Sequence, residues 1–257
     1  MKILLLHRKL FTVAACVLAA AAIFLTVNYP AIVGVAATTR QLPIYCVQRD
    51  QNMVSLSFDA AWGNEDTQQL IDILGKYGVK ATFFVVGEWV DKYPESVLAL
   101  HEAGHEIMNH SDDHAHFTKL SRDQMQQNIN ACNDKIEQVT GVRPTLFRPP
   151  YGEYDDNVVL TTRAMGMEPI QWDVDSLDWK DLSAGEITKR VTSKVQAGSI
   201  VLFHNAAKHT PEALPTILET LLRDGYTMVP ISQLILPGEH GVDYTMDHTG
   251  KQCPMAG

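Results

Sequence analysis

The run Glu106-Ile107-Met108-Asn109-His110-Ser111-Asp112-Asp113-His114 joins a short apolar segment to two histidines. The apolar part reads as a buried strand that ends at His110. Imidazoles four residues apart share one face of a helical turn, so both can reach a single ion. A neutral imidazole nitrogen is a good ligand for Zn²⁺ and also suits Co²⁺ or Ni²⁺. The competing reading is a pair of surface histidines with acidic neighbours. The stretch gains its weight from four other segments that also place polar residues at strand ends, where α/β proteins keep their chemistry.

On either side of this stretch, short β-rich runs alternate with amphipathic segments of helical length. Strands are expected over 53–59, 81–87, 106–109, 145–148, 168–173 and 199–204, with a seventh inside 226–234 that ends in a short turn. Helices are expected over 66–77, 94–103, 121–140, 155–165, 183–196 and 210–223. Ser121 caps the longest helix and Gly141 stops it. Strand then helix, repeated about seven times, means a parallel sheet with helices outside. A doubly wound open sheet concentrates its site at one switch point. Here Asp59, His110, Arg148, Asp175 and His204 end five different strands, which favours a closed or nearly closed barrel.

The 257 residues carry 46% hydrophobic and 20% charged side chains, ordinary for a globular protein with a large core. The net charge of −9 argues against nucleic acid and anionic membrane surfaces as partners. Four cysteines are few for this length, and Cys46 and Cys253 are read as unpaired thiols. Residues 1–9 form a basic N-terminus containing Lys2, Arg8 and Lys9. Residues 10–27 are uncharged and near the lower limit for a membrane span. They read as an uncleaved signal anchor or as a signal peptide cut near Val35-Ala36-Ala37. The preceding positive charges place the N-terminus in the cytoplasm and the remainder outside it. Residues 28–50 are a linker running into a first strand, 51–236 the catalytic domain, and 237–257 a mobile tail rich in Gly, His and Asp. A monomer is expected.

The strand ends carry the chemistry. Asp59, in Ser57-Phe58-Asp59-Ala60-Ala61-Trp62-Gly63, is a base, a ligand or a structural cap. Arg148-Pro149-Pro150-Tyr151-Gly152 holds an arginine able to clamp a carboxylate in bidentate fashion, on backbone stiffened by two prolines. Asp175-Ser176-Leu177-Asp178-Trp179 follows the fifth strand. Leu202-Phe203-His204 ends the sixth, and His204 is a candidate general acid whose pKa a nearby carboxylate would raise.

Taken in order, these five segments resemble the polysaccharide deacetylase family, also called the NodB-homology domain or carbohydrate esterase family 4, from about Met53 to Leu236. The Asp-Ala-Ala-Trp-Gly form of the first segment, with Leu42-Pro43-Ile44-Tyr45 before it, resembles the sporulation-associated branch. The resemblance implies a distorted (β/α)7 barrel and a divalent metal, Zn²⁺ foremost, with Co²⁺ or Ni²⁺ as alternatives. It implies that Asp59 is the general base, Arg148 its partner, and His110 and His114 the metal ligands. The Tyr151 backbone N–H would steady the oxyanion, and Asp178 would tune His204, which protonates the departing amine. Trp179 and Leu202 would wall the acetyl pocket. The implied activity is N-deacetylation of a cell-wall glycan, with peptidoglycan amino sugars as the expected substrates. O-acetyl esterase action on a polysaccharide and a weakened, membrane-anchored glycan-binding role are the alternatives.

One position departs from the family pattern. The second of two adjacent aspartates, the third metal ligand, is here Ala60. Glu65, Asp66, Asp112 and Asp113 are the candidate replacements, and His116 is expected to point elsewhere.

Overall fold

The structure is a computed structural model that describes residues 14–21, 24 and 40–255. Residues 14–21 are helical. The chain divides into two units, 1–40 and 41–257, and the second carries the fold. No helix among the described residues is long and apolar enough to cross a membrane. Most of the expected span at 10–27 lies outside the described residues.

The second unit is an α/β fold built on one curled parallel sheet. Its strands are β2 (Met53–Ala60), β3 (Thr82–Val85), β4 (Glu106–Asn109), β5 (Leu146–Phe147), β6 (Glu168–Pro169), β7 (Val174–Asp175) and β8 (Ile200–His204). They are ordered β6-β5-β4-β3-β2-β8-β7, and β9 (Thr227–Met228) adds to the start of β2. Every pairing in this sheet is parallel.

Strand alternation builds two cores. Val54, Leu56, Phe58 and Ala60 of β2 pack outward with Phe83, Ile107, Val201 and the helices. Phe84, Met108 and Ile200, each one residue out of phase, pack with Leu146, Ile170 and Ile231 on the other face. Phe58 stacks between Phe83 and Phe203, with ring centroids 4.8 and 5.3 Å away. On the other face of β2 come Ser55 and Ser57, which donate to the Val229 and Val201 carbonyls, and then Asp59. The strand is therefore an alternating one whose small hydroxyls satisfy themselves on neighbouring backbone.

The fifth expected strand is in fact two. Only its first two residues are strand, β6, which pairs with β5 at one sheet edge; the other strand, β7, starts just past its expected end and pairs with β8 at the other edge. Between them the Gln171 N–H donates to Ile44 C=O. One short stretch thus spans both edges and draws the sheet into its barrel-like curl. The helix Gly87–Lys92 was not expected. Its first residue must be small, because a Cβ on Gly87 would lie 2.0 Å from Asp112 Oδ1. The long helix Arg122–Thr140 starts at a reciprocal cap between Ser121 and Gln124 and ends at Gly141 with φ 74°.

The tail is also corrected. Instead of a mobile segment, β10 (Tyr244–Met246) and β11 (Lys251–Pro254) form a three-stranded sheet with β1 (Cys46–Val47). β11 runs parallel to β1 and antiparallel to β10. Gln252 is fully buried and bonds Leu236 through both its amide groups. Cys46 and Cys253 are both free thiols.

Because these contacts all lie within 41–257, a shortened chain beginning at Arg40 is expected to be soluble and to unfold in one cooperative transition. Chemical denaturation followed by circular dichroism checks this. Insoluble material that yields no refolded product would contradict a self-contained unit.

Candidate active site

Asp59, the residue after β4 (His110), the residue after β5 (Arg148) and the last residue of β8 (His204) meet at the same end of the sheet. Asp59 and His204 are register partners on adjacent strands. Arg148 is completely buried, and its Nη1 donates to Asp59 Oδ1 at 2.7 Å. Nη2 donates to the Gln171 carbonyl at 3.2 Å. The expected bidentate clamp is thus a single bond to the carboxylate, with the second arm spent on backbone. The guanidinium lies 4.1 Å above the Phe84 ring, which fixes its plane. Burial pushes the Asp59 pKa up, but the neighbouring positive charge, that of the Arg148 guanidinium first, outweighs it, and the net shift is downward. Asp59 is therefore a buried carboxylate anion at neutral pH.

His110 and His114 come together, but not on a helix. The segment after β4 is a turn in which Ser111 (φ 71°) and His114 (φ 55°) both adopt left-handed backbone. Asn109 Oδ1 accepts the Ser111 N–H, and Ser111 Oγ accepts the His114 N–H. Asn109 is itself anchored to Ile129 C=O and Asn133. The folded-back turn brings the imidazole centroids to 5.0 Å at 73°. His110 Nδ1 lies 2.8 Å from the Arg148 carbonyl, which can only accept, so the proton sits on Nδ1 and Nε2 keeps its lone pair. Nε2 is 3.5 Å from Asp59 Oδ2. Burial lowers the pKa of His110 and takes that of His114 to about 4, so both rings are neutral, as metal ligands must be. The His110–Asp59 contact is accordingly not an ion pair.

These two imidazoles fit a divalent ion at two protein corners, and no third corner is apparent. Among the described residues, no three His, Cys, Asp or Glu side chains are grouped to hold an ion. Ala60 is fully buried in the outer core. The candidate replacements are engaged elsewhere. Asp112 pairs with Lys135 at 2.6 Å, Asp113 accepts from Asn128, and Asp66 accepts the Ala206 N–H. Glu65 and Asp66 line a separate hollow beside Lys208. His116 turns away as expected, bonding Glu153 at 2.8 Å and stacking on Tyr151.

His204 and Asp178 form the second pair. Asp178 is buried and accepts from His204 Nδ1, the His204 N–H, Thr210 Oγ1 and the Trp179 N–H, all within 2.9 Å. Burial lowers the His204 pKa, but the bond to Asp178 and the charges of Asp178, Asp59 and Asp175 more than offset it, and the net shift is upward. With Nδ1 committed to Asp178, Nε2 remains as the proton-bearing position toward the cleft.

The two pairs open into a cleft of about 360 Å³ whose lining includes Asp59, both imidazoles, His204, Tyr151, Trp179 and Leu202. Leu202 is buried, whereas Trp179 stands 58% exposed at the mouth. Tyr151 has left-handed backbone (φ 61°), and the bonds of its turn run from Gly152 N–H to Pro149 and from Glu153 N–H to Pro150, leaving the Tyr151 N–H outside them. Asp175, expected at a strand end but given no role, also lines the cleft, as do Trp62 and Trp172, which sequence reasoning gave no role; Thr210 was not singled out either. The Trp-Gly pair just past a strand-end aspartate is the signal that could have flagged Trp62.

The sequence pattern of the polysaccharide deacetylase family matches residues 47–170. The chain is 38% identical to the peptidoglycan-N-acetylmuramic acid deacetylase PdaC of Bacillus subtilis, over 73% of this chain but 40% of that protein. It spans less than two thirds of the first such relatives. Against PdaA of Bacillus subtilis, also described as a peptidoglycan-N-acetylmuramic acid deacetylase, it is 30% identical over 76% of both chains. A crystal structure of a CE4 family pseudoenzyme from Bacillus anthracis superposes with a TM-score of 0.72 at 36% identity, covering 75% of this chain and 68% of that one. A mutant of that pseudoenzyme, described as having restored enzymatic activity, gives 0.73 at 37%, covering 75% and 70%. Agreement of this extent in sequence and in backbone course places the chain in the polysaccharide deacetylase family.

Proposed function

We propose that this domain hydrolyses N-acetyl groups on a cell-wall glycan, with peptidoglycan amino sugars as the substrate class. The observation that carries the reading is the pair of separately buried acid–base couples, Asp59 with Arg148 and His204 with Asp178, on adjacent strand ends of one cleft. Asp59 takes a proton from the attacking water as its oxygen bonds to the acetyl carbon. The Tyr151 N–H donates to the carbonyl oxygen as it gains charge. His204 delivers its Nε2 proton to the amide nitrogen, the C–N bond breaks, and acetate and the amine leave. His110 and His114 would hold a divalent ion, Zn²⁺ foremost, whose chemistry is to polarise the carbonyl and acidify water. The peptidoglycan deacetylases among its relatives support the substrate class. We further propose an extracytoplasmic domain tethered by the N-terminal apolar run. Cell fractionation with protease accessibility tests that.

A second reading is favoured by one observation. With Ala60 in place of a carboxylate and a pseudoenzyme among its relatives, the domain would bind glycan without turning it over. Ala60→Asp separates the two. Losing only the groups that support metal ligands costs about 10–100-fold in affinity, so gaining a ligand is expected to tighten metal binding by at least about ten-fold. Activity should then saturate at lower metal concentration, as metal titration with acetate release would show. An unchanged affinity with lowered stability would mean that the new carboxylate stays in the outer core around Ala60.

His204→Ala is expected to slow amide hydrolysis by about 10²-fold or more and hydrolysis of an activated phenyl ester much less. An amine needs a proton to leave, and a phenolate does not. Equal losses on both substrates would assign His204 a purely structural role. The same comparison on an O-acetylated polysaccharide distinguishes esterase from amidase action.

A further inference from the structure

The turn that presents the Tyr151 N–H is weakly held by its own residues. Pro149 and Pro150 have no N–H to give. Its internal bonds, from Gly152 N–H to Pro149 and from Glu153 N–H to Pro150, measure 3.2 and 3.1 Å, at the long end of the usual range. Tyr151 and Gly152 both have left-handed backbone, φ 61° and 67°. For a tyrosine that conformation is strained, and it persists only where the surroundings impose it.

Gln171 supplies that constraint. It lies between β6 and β7 and is only 2% exposed. Its Nε2 donates to Gly152 C=O at 3.1 Å. A Cβ on Gly152 would lie 2.8 Å from Trp172 Cη2 and 3.2 Å from Gln171 Oε1, so the turn rests directly on residues 171 and 172. The backbone of Gln171 serves the other side of the site. Its C=O accepts Arg148 Nη2, and its N–H donates to Ile44 C=O at 2.7 Å. One residue thus ties the turn to the arginine that holds Asp59. Gln171 sits behind the cleft, outside its lining. A buried amide costs desolvation that its hydrogen bond little more than offsets, so packing alone does not call for a glutamine here.

We propose that Gln171 is a positioning residue for the hydrolysis, its side-chain amide fixing the Tyr151 N–H where charge develops on the acetyl carbonyl oxygen, in register with Asp59. This rests on the reading that the cleft hydrolyses acetyl groups. An oxyanion donor acts on charge that is present in the transition state and nearly absent from the bound substrate. Loosening the turn should therefore lower kcat and leave KM nearly as it was. The loss should be equal for an amide and an activated ester, since both pass through a tetrahedral oxyanion. His204→Ala is expected to do the opposite, so placing the donor and delivering the proton are told apart.

The test uses the full chain carrying Gln171→Met, which removes the amide, keeps an unbranched side chain and leaves the backbone bonds to Arg148 and Ile44 in place. Acetate release from N-acetylated peptidoglycan strands and hydrolysis of an activated phenyl ester are expected to fall alike by about ten-fold, part of the roughly 10²–10³-fold that losing an oxyanion donor costs. KM should move by less than about two-fold. Gln171→Glu keeps the shape but has no N–H to donate at neutral pH. It is expected to show the same loss, and it carries the test if the methionine variant does not fold. The second readout is hydrogen exchange of the Gly152 and Glu153 N–H groups, expected to quicken about five-fold or more in either variant while exchange in β2 and β8 stays unchanged. A loss confined to the amide substrate, a raised KM with kcat intact, or unchanged exchange in a folded variant would overturn the proposal. If the unmutated chain releases acetate and both variants match it, the positioning role fails alone. If the unmutated chain cleaves neither substrate, the hydrolytic reading has failed and the positioning role falls with it, even where exchange shows that Gln171 holds the turn.

Discussion

Replacing Asp59 with asparagine is expected to cut acetate release by about 10²-fold or more while leaving metal binding largely intact. The amide has nearly the shape of the carboxylate, and its oxygen can still accept from Arg148 Nη1, 2.7 Å from Asp59 Oδ1. What it cannot do is hold a proton taken from water. The two imidazoles are untouched, so the ligand set stays as it was. The substitution leaves the fully buried Arg148 without a counter-charge, so the variant should also be less stable. Steady-state kinetics must therefore be paired with a melting curve, so that lost chemistry is not confused with lost fold. Near-normal rates in a folded variant would remove Asp59 from the mechanism.

The largest stability effect should come from Arg148. Arg148→Ala leaves a carboxylate in a buried site without its cation, and removing one partner of such a pair costs about 3–5 kcal/mol. The guanidinium also packs on Phe84 and lies 5.5 Å from Trp172, so its loss opens space as well as charge. Asp59 would lose the first of the charges that hold its pKa down against burial. Its carboxyl would then be protonated more readily, and the base would be lost along with stability. Denaturant unfolding measures the loss directly. A deficit below about 1 kcal/mol would show that the pair is screened by water. The double variant Asp59→Asn with Arg148→Met should be more stable than Arg148→Met alone, because it buries no unpaired charge.

Most of the fold was legible because local signals agreed with it. The cap at Ser121 and the stop at Gly141 fix the long helix almost to the residue. The apolar runs of β4 and β8 end where the polar residues begin, so the cleft could be located by reading strand ends. What escaped was non-local. Nothing within residues 168–175 says that the first half pairs with β5 and the second with β8. The tail strands are hidden by a Gly- and Asp-rich composition, since their order comes from β1, some two hundred residues earlier. The two histidines were paired for the wrong geometric reason. Left-handed backbone at Ser111 and His114, neither of them glycine, has no signature in one sequence. Trp62 was passed over because an exposed aromatic looks like any other until Asn205 and Trp89 are seen to hold its backbone.

The measurement that bears most directly on the central claim is acetate release from N-acetylated peptidoglycan strands by the purified chain, first stripped with a chelator and then titrated with Zn²⁺, Co²⁺ or Ni²⁺. The account predicts release that depends on added metal, one free amine formed for each acetate, and loss of both signals in Asp59→Asn. Bound glycan with no acetate above the blank at any metal concentration would contradict it, and would make the cleft a recognition site that no longer performs hydrolysis.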